Sequence, residues 1–176
     1  MTLERRKSDV KLPAHEFLEA RRIPYQSRTF SPATEKGAAS VARALGCEEG
    51  QMVKTLVFET GEGERVLVMV GGDQSAISGH LKRAVGSRNI KLASLDAVKE
   101  TTGYEVGSVP PFHWQPEGFR SFIDACLMGK KILGVGAGAW GNEILITPAD
   151  LVKASDAQVV NLTDQSKPVF PDGDGG

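Results

Sequence analysis

Lys54 stands inside an otherwise apolar run, MVKTLVF, and a long cationic side chain placed there must either snorkel to solvent or point into a polar cleft. Spacing alone favours an exposed strand lysine, because lysine is seldom buried. In a cleft the same group would anchor negative charge, and since a free lysine is protonated at neutral pH, that role is electrostatic and not general-base. The second stretch able to do chemistry is TGYEVGSVPPF, where Gly103, Gly107, Pro110 and Pro111 impose an irregular, rigid backbone path. Without its surroundings it reads as a surface loop.

Gly136, Gly138 and Gly141 in GAGAWG satisfy the dinucleotide pattern GxGxxG. That pattern needs a helix after it to receive the pyrophosphate and an acidic residue about 20 positions on. Here NEILIT follows, a strand by composition, and too few residues remain for a βαβ unit. A nicotinamide or flavin oxidoreductase thus rests on these glycines alone, and they read better as a tight turn between strands. His15, His80 and His113 lack HxxxH or HxH spacing, so no metal and no cofactor is expected. Asp73, Ser75 and His80 carry the letters of a hydrolase triad, but they fall on one predicted helix, which Asp73 would cap. Cys47 and Cys126, with no CxxC arrangement, read as reduced thiols.

The elements around these residues follow from hydrophobic period and punctuation. Residues 11–22 read as a surface helix stopped before Pro24, YQSRTF as an edge strand, and GAASVARALGC as a small-residue helix with Ala38, Ala42 and Leu45 on one face. MVKTLVFE and RVLVMVG are β-branched apolar runs joined by TGEGE, which suits a hairpin. A helix carrying Ile77, Leu81, Ala84 and Val85 should end at Gly86, IKLA should be a strand, and SLDAVKETTG a helix from Ser94 to Gly103. FRSFIDACLM, KKILGVG, EILIT and VVNLT are further strand candidates, and TPADLVKAS starts a helix with Thr147 as N-cap and Pro148 at N1. Interleaved strands and helices predict an α/β or α+β fold with a mixed sheet.

A chain of 176 residues with 40% hydrophobic content fits one domain. It has no apolar run of membrane-spanning length and no signal peptide pattern, so a cytoplasmic location and no membrane partner are expected. Net charge -1 with a pI near 6.3 excludes a general polyanion binder. Contact with RNA would need a local patch, and HLKRAVGSRNIKL offers Lys82, Arg83, Arg88 and Lys91 with no acidic residue among them; alone it reads as a solvated face. Residues 1–11 are expected to be flexible, and the Gly-, Pro- and Asp-rich residues 164–176 disordered.

AASVARALGC, MVKTLVF, TGYEVGSVPPF, IDACL, GAGAWG and ILITPADLVKASDA occur in an order that resembles the YbaK family and the related insertion domain of bacterial prolyl-tRNA synthetases, over about residues 12–163. The resemblance implies a mixed, partly barrel-like central sheet surrounded by helices. It further implies a freestanding trans-editing hydrolase that cleaves the ester of a misacylated tRNA, with tRNA-Pro or a related tRNA as carrier and a synthetase as a further partner. Position by position, the family's catalytic lysine falls on Lys54 and its GxxxP motif on Gly107 and Pro111, with Ser108 inside it and Gly103 and Tyr104 before it. The family's glycine-containing substrate loop falls on Gly136, Gly138 and Gly141, with Glu143 where an acidic residue is common. The four cations at Lys82, Arg83, Arg88 and Lys91 are then a candidate tRNA-backbone patch.

This chain departs from its relatives at Gly136, where many carry Ser or His, and at Ala139 and Trp140, where basic residues are common. The missing side chain at Gly136 predicts an enlarged amino-acid pocket. The same departures leave open a noncatalytic protein that holds an aminoacyl-adenosine end or regulates a synthetase through the same cleft. An aminoacyl ester is already activated, so oriented water and backbone N–H donors from the GSVPP loop would suffice for hydrolysis.

Overall fold

The hairpin that carries Lys54 is the centre of the molecule. β2 (Val53–Thr60) and β3 (Arg65–Gly71) pair antiparallel from Val53 opposite Gly71 to Glu59 opposite Arg65. Gly63 turns the connection in the left-handed region at φ +91°, and its amide donates to the Thr60 carbonyl at 2.9 Å. β3 is buried on both faces, which accounts for its continuous apolar run. Val66, Val68 and Val70 pack with Leu81 and Val85, while Leu67 and Met69 pack with Val57, Ile123, Phe112 and Leu151.

The computed structural model describes residues 11–166. Within them lie five α-helices: α1 (Pro13–Ala20), α2 (Ala38–Leu45), α3 (Ser78–Val85), α4 (Leu95–Thr102) and α5 (Pro148–Ser155). The other strands are β1 (Gln26–Thr29), β4 (Ile90–Leu92), β5 (Ser121–Asp124), β6 (Leu133–Gly136), β7 (Asn142–Ile146) and β8 (Gln158–Val160). One sheet has the order β4-β2-β3-β5-β8, with β5 parallel to both β3 and β8; the other has the order β1-β7-β6 and is antiparallel. The fold is therefore mixed α/β as expected, with its strands divided between two sheets that do not close. They meet at a bridge between Met52 and Gly134, where a Cβ on residue 134 would lie 2.6 Å from the Met52 methyl. A side chain at residue 134 would have to displace the end of the Met52 side chain.

The helix signals act where expected at α4 and α5. Ser94 Oγ accepts from the Ala97 amide at 3.1 Å, Gly103 closes α4 at φ +83°, and Thr147 Oγ1 accepts from the Asp150 amide at 3.2 Å.

Two expectations need correction. Asp73 does not cap α3: that helix starts at Ser78 after Ile77, whose amide is drawn to the Leu162 carbonyl at 2.7 Å, while the Asp73 carboxylate lies against Gly50 and Gly71. Asp73 and Ser75 thus precede the helix that carries His80. The run FRSFIDACLM is a strand only to Asp124, and Ala125–Gly129 coils into a 3-10 turn. The Asp124 side chain is fully buried and accepts from the Leu162 amide at 2.8 Å and from Thr163 Oγ1 at 2.6 Å, which ties the strand end to the chain beyond β8. Apart from residue 11 and residues 164–166, the two terminal segments lie outside the described residues.

Candidate active site

β4 pairs with β2 only along Phe58, Glu59 and Thr60, and the bridge to the smaller sheet is at Met52. Residues 53–56 of β2 therefore have no hydrogen-bonded strand partner on their outer edge among the described residues. A cleft of about 430 Å³ opens there. Its walls include Val41, Met52, Lys54, Gly107, Val109 and Glu143. Lys54 is half-buried and makes no ion pair among the described residues. Of the two fates open to it, the structure shows the cleft.

Glu143 lies on β7 opposite Gly136 on one side and Arg28 on the other. Its side chain reaches over Gly134, where a Cβ would stand 3.3 Å from Glu143 Oε2. The residue is 8% exposed, and burial pushes its carboxyl up to about 8, so it is largely protonated near pH 7. The cleft thus pairs an uncompensated lysine with a carboxyl that holds its proton.

The GxxxP loop is rigid for identifiable reasons. Gly107 adopts φ +95°, Trp114 Nε1 donates to the Pro110 carbonyl at 2.6 Å, and Gln115 Nε2 donates to the Pro111 carbonyl at 2.8 Å. Proline has no amide hydrogen, and the Ser108 amide is taken by the Glu105 carbonyl at 3.1 Å. The loop donors left without a partner among the described residues are those of Gly107 and Val109, which both line the cleft.

The structure changes the meaning of the glycines. A Cβ at Gly136 would lie 3.0 Å from the Ser108 carbonyl carbon and 3.2 Å from the Val109 oxygen. Gly136 lines the cleft, and the direction of its missing side chain is toward the loop backbone, so β6 approaches the loop closely there. At Gly138, φ +108°, a Cβ would meet the Tyr104 ring at 2.8 Å. At Gly141, φ +99°, it would stand 3.1 Å from the Phe30 carbonyl oxygen, while Gly103 serves α4 as its left-handed C-cap. Following the GAGAWG glycines is strand β7, so the dinucleotide motif has no helix to serve.

Tyr104, Ser108 and Gly138 border a second cleft of about 270 Å³, separated from the first by Lys36 and Trp140, which line both. Pro111 is buried beneath the loop and lines neither. Lys36 escaped the sequence reading because an isolated lysine in a polar connection carries no periodic signal. His113 escaped it too: it adopts φ +81° and lies 2.6 Å from Tyr104 Oη through Nε2.

The basic residues are brought together elsewhere. Lys82, Arg88 and Lys91 surround a surface depression beside Thr60 and Gly61, and Arg83 borders an adjoining one with Lys82 and Arg88. All four are exposed. Thr60 lies six positions along the strand from Lys54, about 20 Å at strand rise.

The fold is thus a mixed α/β domain with a largely apolar cleft at the open edge of β2 and a rigid glycine–proline loop beside it. The aminoacyl-tRNA editing domain profile matches residues 33–154, and the chain belongs to that family. It is 25% identical over 162 residues to EbsC of Enterococcus faecalis, whose name marks it as a candidate Cys-tRNA(Pro)/Cys-tRNA(Cys) deacylase, across 92% of this chain and 98% of that one. It is 28% identical over 127 residues to the multifunctional Ser/Thr-tRNA deacylase ProXp-y of Escherichia coli, across 70% of this chain and 75% of that one. A solved structure described as a candidate trans-editing enzyme for prolyl-tRNA synthetase superposes with a TM-score of 0.77 at 28% identity, covering 89% of this chain and 99% of that one.

Proposed function

We propose that this protein is an aminoacyl-tRNA deacylase that acts in trans, in the cytoplasm, on tRNA-Pro or a related tRNA carrying the wrong amino acid. The observation that carries this reading is the cleft at the open edge of β2, where the unpaired Lys54 shares a cavity with the unpartnered amides of Gly107 and Val109. Water attacks the ester carbonyl carbon, and the oxyanion that develops is held by those two amides. Lys54 anchors the terminal adenosine or its ester as a fixed cation. Collapse breaks the bond to the ribose oxygen, which leaves with the proton that the water gave up; the neighbouring ribose hydroxyl relays that proton. The aliphatic walls at Val41, Met52 and Val109 suit a small uncharged side chain.

The test is a panel of mischarged tRNAs, read by release of free amino acid, with wild type beside Lys54→Ala. Wild type should discharge one or a few of them, and the variant should keep its fold but lose roughly 100-fold or more in rate. Normal hydrolysis by the folded variant removes Lys54 from the mechanism. Binding of charged tRNA ends without any release by wild type would instead establish a noncatalytic protein.

A further inference from the structure

Lys36 lies in the connection between β1 and α2, outside every motif that carries the family resemblance, yet its ammonium sits 3.9 Å from the centroid of the Trp140 ring. Trp140 is itself fixed edge-on against Phe30, with centroids 4.9 Å apart and ring planes at 84°. A lysine on an exposed connection ordinarily samples many rotamers. Here the aromatic face holds its charge at one place.

That place is the ridge between the two clefts, since Lys36 and Trp140 line both. A polymer whose last unit occupies the first cleft and whose chain runs toward the second crosses this ridge. Among the described residues Lys36 makes no ion pair, and the adjacent Glu35 does not reach it. Lys99 in the second cleft is held by Glu105 at 2.9 Å, so Lys36 is the lysine of that wall left for a ligand. In the first cleft Lys54 adds a second unpaired cation, and the carboxyl of Glu143 does not offset them while it keeps its proton. Two like charges around one cavity favour an anionic occupant.

We propose that Lys36 binds the phosphodiester on the 5′ side of the terminal nucleoside, and that Trp140 positions it for that contact. The inference rests on the editing reading for the identity of the polymer, and it assigns to the known cleft a phosphate subsite on its rim.

The test compares two small probes that differ by one phosphate-bearing unit, the dinucleotide CpA and adenosine, in equilibrium titrations at several salt concentrations. Wild type should bind CpA more tightly than adenosine. Lys36→Ala should weaken CpA by roughly tenfold or more, lower the ratio of CpA to adenosine affinity, and reduce the salt dependence of CpA binding. Lys36→Arg should restore the CpA preference, and Trp140→Leu should lower the ratio of CpA to adenosine affinity. Equal affinity of wild type for the two probes overturns the proposal, as does a Lys36→Ala loss that is the same for both. Failure of the wild type to discharge any mischarged tRNA would strike the editing reading instead, and the CpA comparison would still decide the role of Lys36.

Discussion

Tyr104 Oη and His113 Nε2 lie 2.6 Å apart, and this hydrogen bond joins the two ends of the loop that carries Gly107 and Pro111. Burial lowers the His113 pKa and raises that of Tyr104, so at neutral pH the bond joins a phenol to an uncharged imidazole. The Tyr104 ring in turn rests on Gly138 in the turn between β6 and β7. Three segments distant in sequence are thereby set against one another around the second cleft.

Tyr104→Phe should cost about 1 kcal/mol of stability, because it removes one half-buried hydrogen bond and leaves His113 without that partner. Gly138→Ala should cost more, about 1–3 kcal/mol, since it adds a clash with the tyrosine ring to a left-handed backbone. Urea unfolding of both variants measures this. A larger loss for the tyrosine variant would mean that its hydroxyl supports more than the histidine.

The Glu143 carboxyl, held near 8 against an ordinary 4.5, gives a pH signature. The unfolded chain releases this proton first, so the group's contribution to stability falls as pH rises from about 4.5 and levels off above about 8, with a limiting slope of about 1.4 kcal/mol per pH unit. Glu143→Gln removes the titration. Its stability relative to wild type should climb between about pH 5 and 8. A difference that stays flat over that range would show that the carboxyl ionises normally.

Gly136→Ser places a Cβ within 3.0 Å of the Ser108 carbonyl carbon, so the Gly107–Val109 loop must shift by a few tenths of an ångström. The rate should fall by roughly tenfold on every mischarged tRNA, with the order of preference unchanged, because oxyanion donors act through position. A reordered preference with full activity on one substrate would place this side chain in the amino-acid pocket after all.

Replacing Lys82, Arg83, Arg88 and Lys91 with glutamine should weaken binding of whole tRNA and flatten its salt dependence, by about 0.7–0.9 in slope for each phosphate no longer neutralised. Hydrolysis of an aminoacyl-adenosine should hardly change, since the patch lies about 20 Å along β2 from Lys54. An equal loss on both substrates would mean that these residues support the fold or the cleft.

Local signals decided much of this molecule. The alternation of Val66, Val68 and Val70 with Leu67 and Met69, the cap at Ser94 and the Thr147–Pro148 helix start are written in neighbouring residues, because hydrophobic period and capping act over a few positions. Lys54 was visible for the same reason, as a charge inside an apolar run. Asp73 and the residues after Asp124 went elsewhere than local rules send them, since their partners, Gly50, Gly71, Leu162 and Thr163, arrive from distant parts of the chain. The direction of the Gly136 face, the protonated state of Glu143 and the seat of Lys36 on Trp140 depend on which surfaces meet when two sheets pack. Desolvation and close approach are properties of assembled neighbours, so only the tertiary structure decides them.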